Sequence, residues 1–165
     1  PALLVEPAER ALAAALGSTA GALQARPAAV GESVQWPQVT LLDGTRWSGA
    51  QAQDKAVVVV FWSVTCPFCA RHNQHVEKLR QAAAGKPLEL LTISRDADAQ
   101  AVARYLARHN LHFAVTRDSQ PMAAALSTRN LIPLTVTVDR QGRLRQVIPG
   151  EMFEEDVLDL QKLAA

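Results

Sequence analysis

A chain of 165 residues has the length of one domain, and its 48% hydrophobic residues suffice for a buried core. Seventeen Lys and Arg against sixteen Asp and Glu leave a formal charge of +1, so no strong field points to nucleic acid or an anionic membrane as partner. No apolar run of transmembrane length occurs. The chain begins with Pro1, which reads as a mature or trimmed chain whose signal peptide or anchor has been removed.

In chain order, Pro1 to Gln24 is alanine-rich, with Leu12, Leu16 and Leu23 near helical spacing, and predicts a packing or linker helix outside the main fold. Arg26 to Pro37 reads as a connector. Val39–Leu42 and Thr45–Trp47 flank Asp43-Gly44 and predict a hairpin whose two central turn residues both take positive φ. Val57–Trp62 is a continuous apolar run, rich in β-branched residues, as expected of a strand covered on both faces. Ser63-Val64-Thr65 then leads into a helix over Pro67–Ala84, with Pro67 in its first turn and Gly85 closing it. A strand at Leu88–Ser94, a helix at Asp98–His109, a short strand at Phe113–Val115 and a helix around Gln120–Leu126 follow. Leu134–Val138 and Leu144–Ile148 form a second hairpin, and after Gly150 a helix over Glu154–Leu163 ends the chain. Alternating strands and helices with a late hairpin predict an α/β fold, a mixed sheet with helices on both faces.

The two cysteines are Cys66 and Cys69, in Cys66-Pro67-Phe68-Cys69. A disulfide framework uses more cysteines spread along a chain, and a structural zinc site wants four ligands, so the count favours a local redox pair. Placed where a helix opens, Cys66 meets unsatisfied N–H groups and the positive end of the helix dipole, which favour a thiolate nucleophile. Cys69, deeper in the helix, is the expected resolving thiol. An inert structural disulfide and half of a metal site are the competing readings of the same spacing.

The segment Phe61-Trp62-Ser63-Val64-Thr65-Cys66-Pro67-Phe68-Cys69 resembles the active-site segment of the thioredoxin superfamily, and Leu131-Ile132-Pro133-Leu134-Thr135 resembles its cis-proline loop. The stretch Leu88–His109 and the leading hairpin ending at Trp47 resemble features of TlpA-like, or ResA-like, bacterial thioredoxins. The likeness runs from about Val34 to Ala165, dividing the chain into an N-terminal segment, 1–33, and a thioredoxin-like domain, 34–165. It implies a three-layer α/β/α fold with a central mixed sheet, an N-terminal β-hairpin and a TlpA-type insert. It also implies a cis Pro133 facing the cysteines, with Ile132 as a backbone edge for substrate and Thr65 and Phe68 beside it.

By the same resemblance the activity is thiol–disulfide exchange with cysteine-containing proteins, as a reductant, in cytochrome c maturation or metal-site assembly. The implied partners are those substrates and a membrane thiol-reducing donor, in the periplasm. No cofactor or resident metal is implied, and the chain is expected to be a monomer. Three positions depart from the family. Thr65 replaces the usual Trp, Val60 a buried Asp, and His72 a Glu three residues beyond the second cysteine. One turn from Cys69, His72 is a candidate proton acceptor for the resolving thiol. A histidine packed beside Val76 and Leu79, or turned to solvent, is the alternative. A function of another class remains, a copper- or zinc-handling module using Cys66, Cys69 and His72. A peroxiredoxin-like peroxidase fits less well, since Ser63 stands where that chemistry wants Thr.

Overall fold

The computed structural model describes residues 26–165. The helix expected within Pro1–Gln24 lies outside the described residues. The elements run β1 (Val39–Thr40), β2 (Arg46–Trp47), α1 (Gly49–Ala52), β3 (Ala56–Trp62), α2 (Pro67–Ala82), β4 (Leu88–Ser94), α3 (Ala99–Arg108), β5 (Ala114–Thr116), α4 (Ser119–Leu126), β6 (Leu134–Val138), β7 (Leu144–Pro149) and α5 (Glu154–Asp159). The last turn, Leu160–Ala164, tightens into a 3-10 helix that continues α5.

The five-stranded sheet has the order β5-β4-β3-β6-β7. β3 pairs in parallel with β4, and β4 with β5, while β6 and β7 run antiparallel. This is the mixed thioredoxin-like sheet, and Leu88–His109 is built into it, since β4 bonds to a strand on either side. β3 lies at the centre and every one of its residues is buried. Its alternate side chains serve two cores. Val57, Val59 and Phe61 pack with Trp47, Met122 and Leu126, whereas Val58, Val60 and Trp62 pack with Cys69, Val76, Leu79, Val102, Tyr105 and Val157. Helices therefore cover both faces, with α2, α3 and α5 on one and α4 with the β1–β2 hairpin on the other.

Several boundaries depart from expectation for identifiable reasons. In the first hairpin only Gly44 takes positive φ, +89°, so Asp43-Gly44 is not a two-residue turn. The Gly44 N–H donates to the Leu41 carbonyl and the Leu41 N–H to the Thr45 carbonyl, which makes a wider loop closed by a left-handed glycine. Asp43 instead accepts from the Thr45 N–H and hydroxyl, at 2.9 and 2.7 Å. α1 was not expected. Its signal is the reciprocal cap between Ser48 and Gln51 rather than any apolar period. β5 starts at Ala114 because the Phe113 N–H bonds to the Glu77 carboxylate.

Both outer edges of the sheet are partly bridged. The Leu42 N–H donates to the Val115 carbonyl and Leu41 bridges Thr116, so the hairpin loop lies along β5. At the other side residues 31–34 run along the start of β7, through Gly31 N–H to Leu144 O and Leu144 N–H to Glu32 O. α3 is capped by Asp98, whose carboxylate accepts from the N–H groups of Gln100 and Ala101 at 2.9 and 3.3 Å. Asp98→Ala is expected to lower stability by about 1 kcal/mol, read as a reduced denaturant midpoint at unchanged slope.

Candidate functional site

β3 delivers the site, and its antiparallel pairing with β6 sets the partner loop. Phe61 faces Leu134 in that ladder, so the loop leaving β3 meets the loop entering β6. Trp62 anchors the exit, fully buried against Tyr105 and Phe113 at centroid distances of 5.1 and 6.1 Å. The Cys66 N–H donates to the Ser63 carbonyl at 3.2 Å and closes a turn, after which α2 begins. Cys66 is the N-cap residue and Pro67 occupies the first turn, where a missing N–H costs nothing.

Cys66 and Cys69 are joined as a disulfide, with Cα atoms 5.3 Å apart. The Cys69 backbone N–H donates to Cys66 Sγ at 3.2 Å. A sulfur so placed has a donor aimed at it and the positive end of α2 behind it, and both favour a thiolate once the pair is reduced. Cys66 is half-buried while Cys69 is wholly buried. Only the first sulfur can be met from outside.

The expected neighbours converge on Cys66. The Ile132 carbonyl oxygen lies 3.9 Å from Cys66 Sγ, and the Ile132–Pro133 peptide is cis. Pro133 is buried and Thr65 exposed. Phe68 is 67% exposed and Leu131 49%, apolar surface standing free around the disulfide.

His72 is not turned to solvent. It is fully buried, and among the described residues neither ring nitrogen has a hydrogen-bond partner. Burial pushes its pKa down from 6.5 to about 4, the nearby His75 adds to this, and Glu151 opposes it. His72 is therefore neutral at pH 7, on the same face of α2 as Cys69 and one turn further along. His75 sits closer to α5, its Nδ1 3.8 Å from Glu154 Oε1. His109 stacks on Tyr105 and the His112 ring bonds to Asn110, away from the cysteines. Among the described residues, with Cys66 and Cys69 joined as a disulfide, no group of three or more His, Cys, Asp or Glu side chains is arranged to hold a metal ion.

Three charged residues with structural partners, two of them beside the site, lie outside the expected set. Glu77, buried on α2, accepts from the backbone N–H groups of His112 and Phe113 at 2.8 and 3.1 Å and from Arg80 at 2.6 Å. Burial pushes its carboxyl pKa up, but Arg80 and the His112 N–H outweigh that and hold it below the usual range. Arg95 and Asp96 leave the end of β4 and bond into the loops on either side of the disulfide. Nothing in their local sequence marks them, because their partners lie about thirty residues away in each direction.

The profile of the Redoxin family matches residues 29–163. The thiol-disulfide oxidoreductase ResA of Geobacillus kaustophilus is 25% identical over 129 residues, covering 78% of this chain and 74% of that protein. The soluble secreted antigen MPT53 of Mycobacterium tuberculosis is 34% identical over 95 residues, covering 57% of this chain and 53% of that protein. Among solved structures, a thioredoxin-family thiol:disulfide interchange protein from Chlorobium tepidum superposes with a TM-score of 0.73 at 20% identity, covering 82% of this chain and 97% of that one. No helix among the described residues is long and apolar enough to cross a membrane.

Proposed function

Since the chain belongs to the Redoxin family, as a ResA-like thiol–disulfide oxidoreductase of the thioredoxin superfamily, we propose that it reduces disulfides in partner proteins, with Cys66 attacking and Cys69 resolving. The observation that carries the assignment is the difference between the two sulfurs. Cys66 is reachable and accepts the Cys69 N–H, while Cys69 is sealed beneath it.

In the reduced protein the Cys66 thiolate attacks one sulfur of a substrate disulfide. A Cys66–substrate S–S bond forms, the substrate S–S bond breaks, and the departing thiolate takes a proton from solvent. Cys69 then gives up its proton, and its thiolate attacks Cys66 Sγ. The intramolecular disulfide forms and the second substrate sulfur leaves. Two electrons pass from the protein dithiol to the substrate. His72 is the proton acceptor for Cys69: it is neutral, unpartnered and one turn away. The thiolate it helps to form would in turn favour the imidazolium, so the pair titrates jointly.

The backbone of Ile132 beside Cys66 serves as the docking edge for an extended substrate segment, ended by Pro133, and Thr65 and Phe68 cover flanking residues. The substrates on this reading are cysteine-containing proteins of an exported compartment, such as those awaiting haem or copper at a thiol site. A membrane thiol donor re-reduces the protein, which acts as a monomer. The word "secreted" in the name of the MPT53 relative supports export. Titration against defined ratios of reduced and oxidised glutathione tests the direction. A reductant gives a midpoint near that of thioredoxin, about −270 mV, and a midpoint near −120 mV makes it an oxidant instead.

A further inference from the structure

Arg95 and Asp96, adjacent in sequence, grip the two halves of the site from one point. Asp96 Oδ1 accepts from the Ser63 hydroxyl at 2.8 Å. Its Oδ2 accepts from the Val64 N–H at 3.0 Å and from the Ser94 hydroxyl at 2.7 Å. Ser63 Oγ in turn accepts the Thr65 N–H at 3.3 Å, and the Ser63 carbonyl holds the Cys66 N–H. The carboxylate is thus the fixed end of the turn that sets Cys66 at the start of α2. Arg95 points the other way. Its guanidinium donates to Asn130 Oδ1 and to the Arg129 carbonyl, both at 2.9 Å, two and three residues before Ile132. Its carbon Cζ lies 5.3 Å from the centre of the Phe61 ring, and its backbone N–H donates to the Trp62 carbonyl at 2.9 Å.

We propose that Arg95 and Asp96 form a clamp that holds the cysteine turn and the Ile132–Pro133 loop in fixed relation, so that a docked segment is delivered to an attacking sulfur. Both are positioning residues, and the proposal rests on the reading of Cys66 as the sulfur that attacks. The two halves of the clamp separate the two tasks. Asp96 sets where Cys66 Sγ sits relative to the Cys69 N–H, and hence how readily the thiolate forms. Arg95 sets where the Ile132 edge sits, and hence how well a peptide binds. Charge-assisted hydrogen bonds to ordered groups are strong enough for each loss to be measured.

Direction makes the test decisive. A carboxylate that acted only as a nearby negative charge would disfavour the thiolate, so removing it would speed alkylation of Cys66. A carboxylate that holds the turn does the opposite when removed. The reduced protein is therefore treated with iodoacetamide across pH, and its exchange is followed with a synthetic disulfide-bonded peptide and with hydroxyethyl disulfide. D96N is expected to slow Cys66 alkylation at pH 7 about tenfold, because one neutral amide oxygen replaces two charged ones and the charge-assisted bonds to Ser63, Val64 N–H and Ser94 weaken together. S63A, which keeps the charge and a small side chain, is expected to slow it about threefold. R95K keeps the cation and loses the fork. It is expected to raise KM for the peptide about tenfold, more than it affects kcat or turnover of hydroxyethyl disulfide. Alkylation that is faster or unchanged in D96N and S63A overturns the clamp, as does an R95K loss equal for the two substrates. A wild-type Cys66 that alkylates no faster than an ordinary thiol sinks the reading of Cys66 itself and is recognised before any variant is made.

Discussion

Cys66→Ser is expected to abolish disulfide exchange, whereas Cys69→Ser is expected to stop after the first step with the partner still attached. A serine hydroxyl at position 66 cannot form a disulfide, and Cys69 beneath it is wholly buried and cannot take over the attack. With Cys69 removed, Cys66 keeps its place at the N-cap of α2 and remains reactive, but no second sulfur releases the substrate. The two variants thus differ in kind, one inert and one trapped. Incubating each reduced variant with a disulfide-bonded peptide and weighing the products distinguishes them, since only Cys69→Ser gains the peptide mass. An ordinary thiol with pKa near 8.5 is about 3% ionised at pH 7, and a helix-start thiol with pKa near 7 is about half ionised. Cys66 in reduced protein should accordingly alkylate roughly tenfold faster than an unperturbed thiol. Peptide adducts on Cys66→Ser would reverse the assignment.

The second expected result concerns acid. His72 has a folded pKa of about 4 against an unfolded 6.5, so the unfolded chain binds the proton more readily in that interval. The stability contributed by keeping the ring neutral is complete above about pH 6.5 and is lost as pH falls to about 4. The loss over that window is about 3 kcal/mol at 1.36 kcal/mol per pH unit. His72→Leu should remove that slope. At pH 7 it should cost little, because the imidazole nitrogens it replaces make no hydrogen bond among the described residues. Urea denaturation at pH 7, 5.5 and 4 reads both effects. If His72 is also the acceptor for Cys69, the same variant should slow release of the mixed disulfide, visible as a longer-lived adduct. A parallel slope in both proteins would locate the acid sensitivity elsewhere, for instance at Glu77, whose lowered pKa also makes stability fall as pH drops.

Much of this was legible because local pattern and tertiary need agree. The all-apolar, β-branched run of β3 fits a strand covered on both faces, and the cysteine pair following it opens a helix. The helix stops at Ala82 with Ala83 as its C-cap, two residues short of the expected Ala84, and Gly85 takes φ +79° in the turn beyond it. The chain was least legible where a side chain replaced a backbone partner. Glu77 takes the N–H groups of His112 and Phe113, and β5 begins one residue late. Asp43 takes the Thr45 N–H, and the turn widens. His72 shows a different limit. Spacing put it on the face of Cys69, but spacing says nothing of depth, and the fully buried ring follows from α5 closing over α2. That closure is marked by the Lys78–Glu154 ion pair and, in the segment just ahead of α5, by Arg71–Glu151. Arg95 and Asp96 were invisible for a simpler reason, since a clamp between loops has no period.

The bridged borders of the sheet carry a consequence for solubility. β5 is shielded by the hairpin loop, and the opening residues of β7 by the segment at 31–34. What stays open is Arg145–Pro149, with a charged residue at one end and, at the other, a proline that has no N–H to give. Endless strand-by-strand stacking needs two free borders per molecule, and among the described residues this sheet offers one short stretch. Copies that met there would close into pairs and stop, so the described edges of the sheet give fibre growth no route.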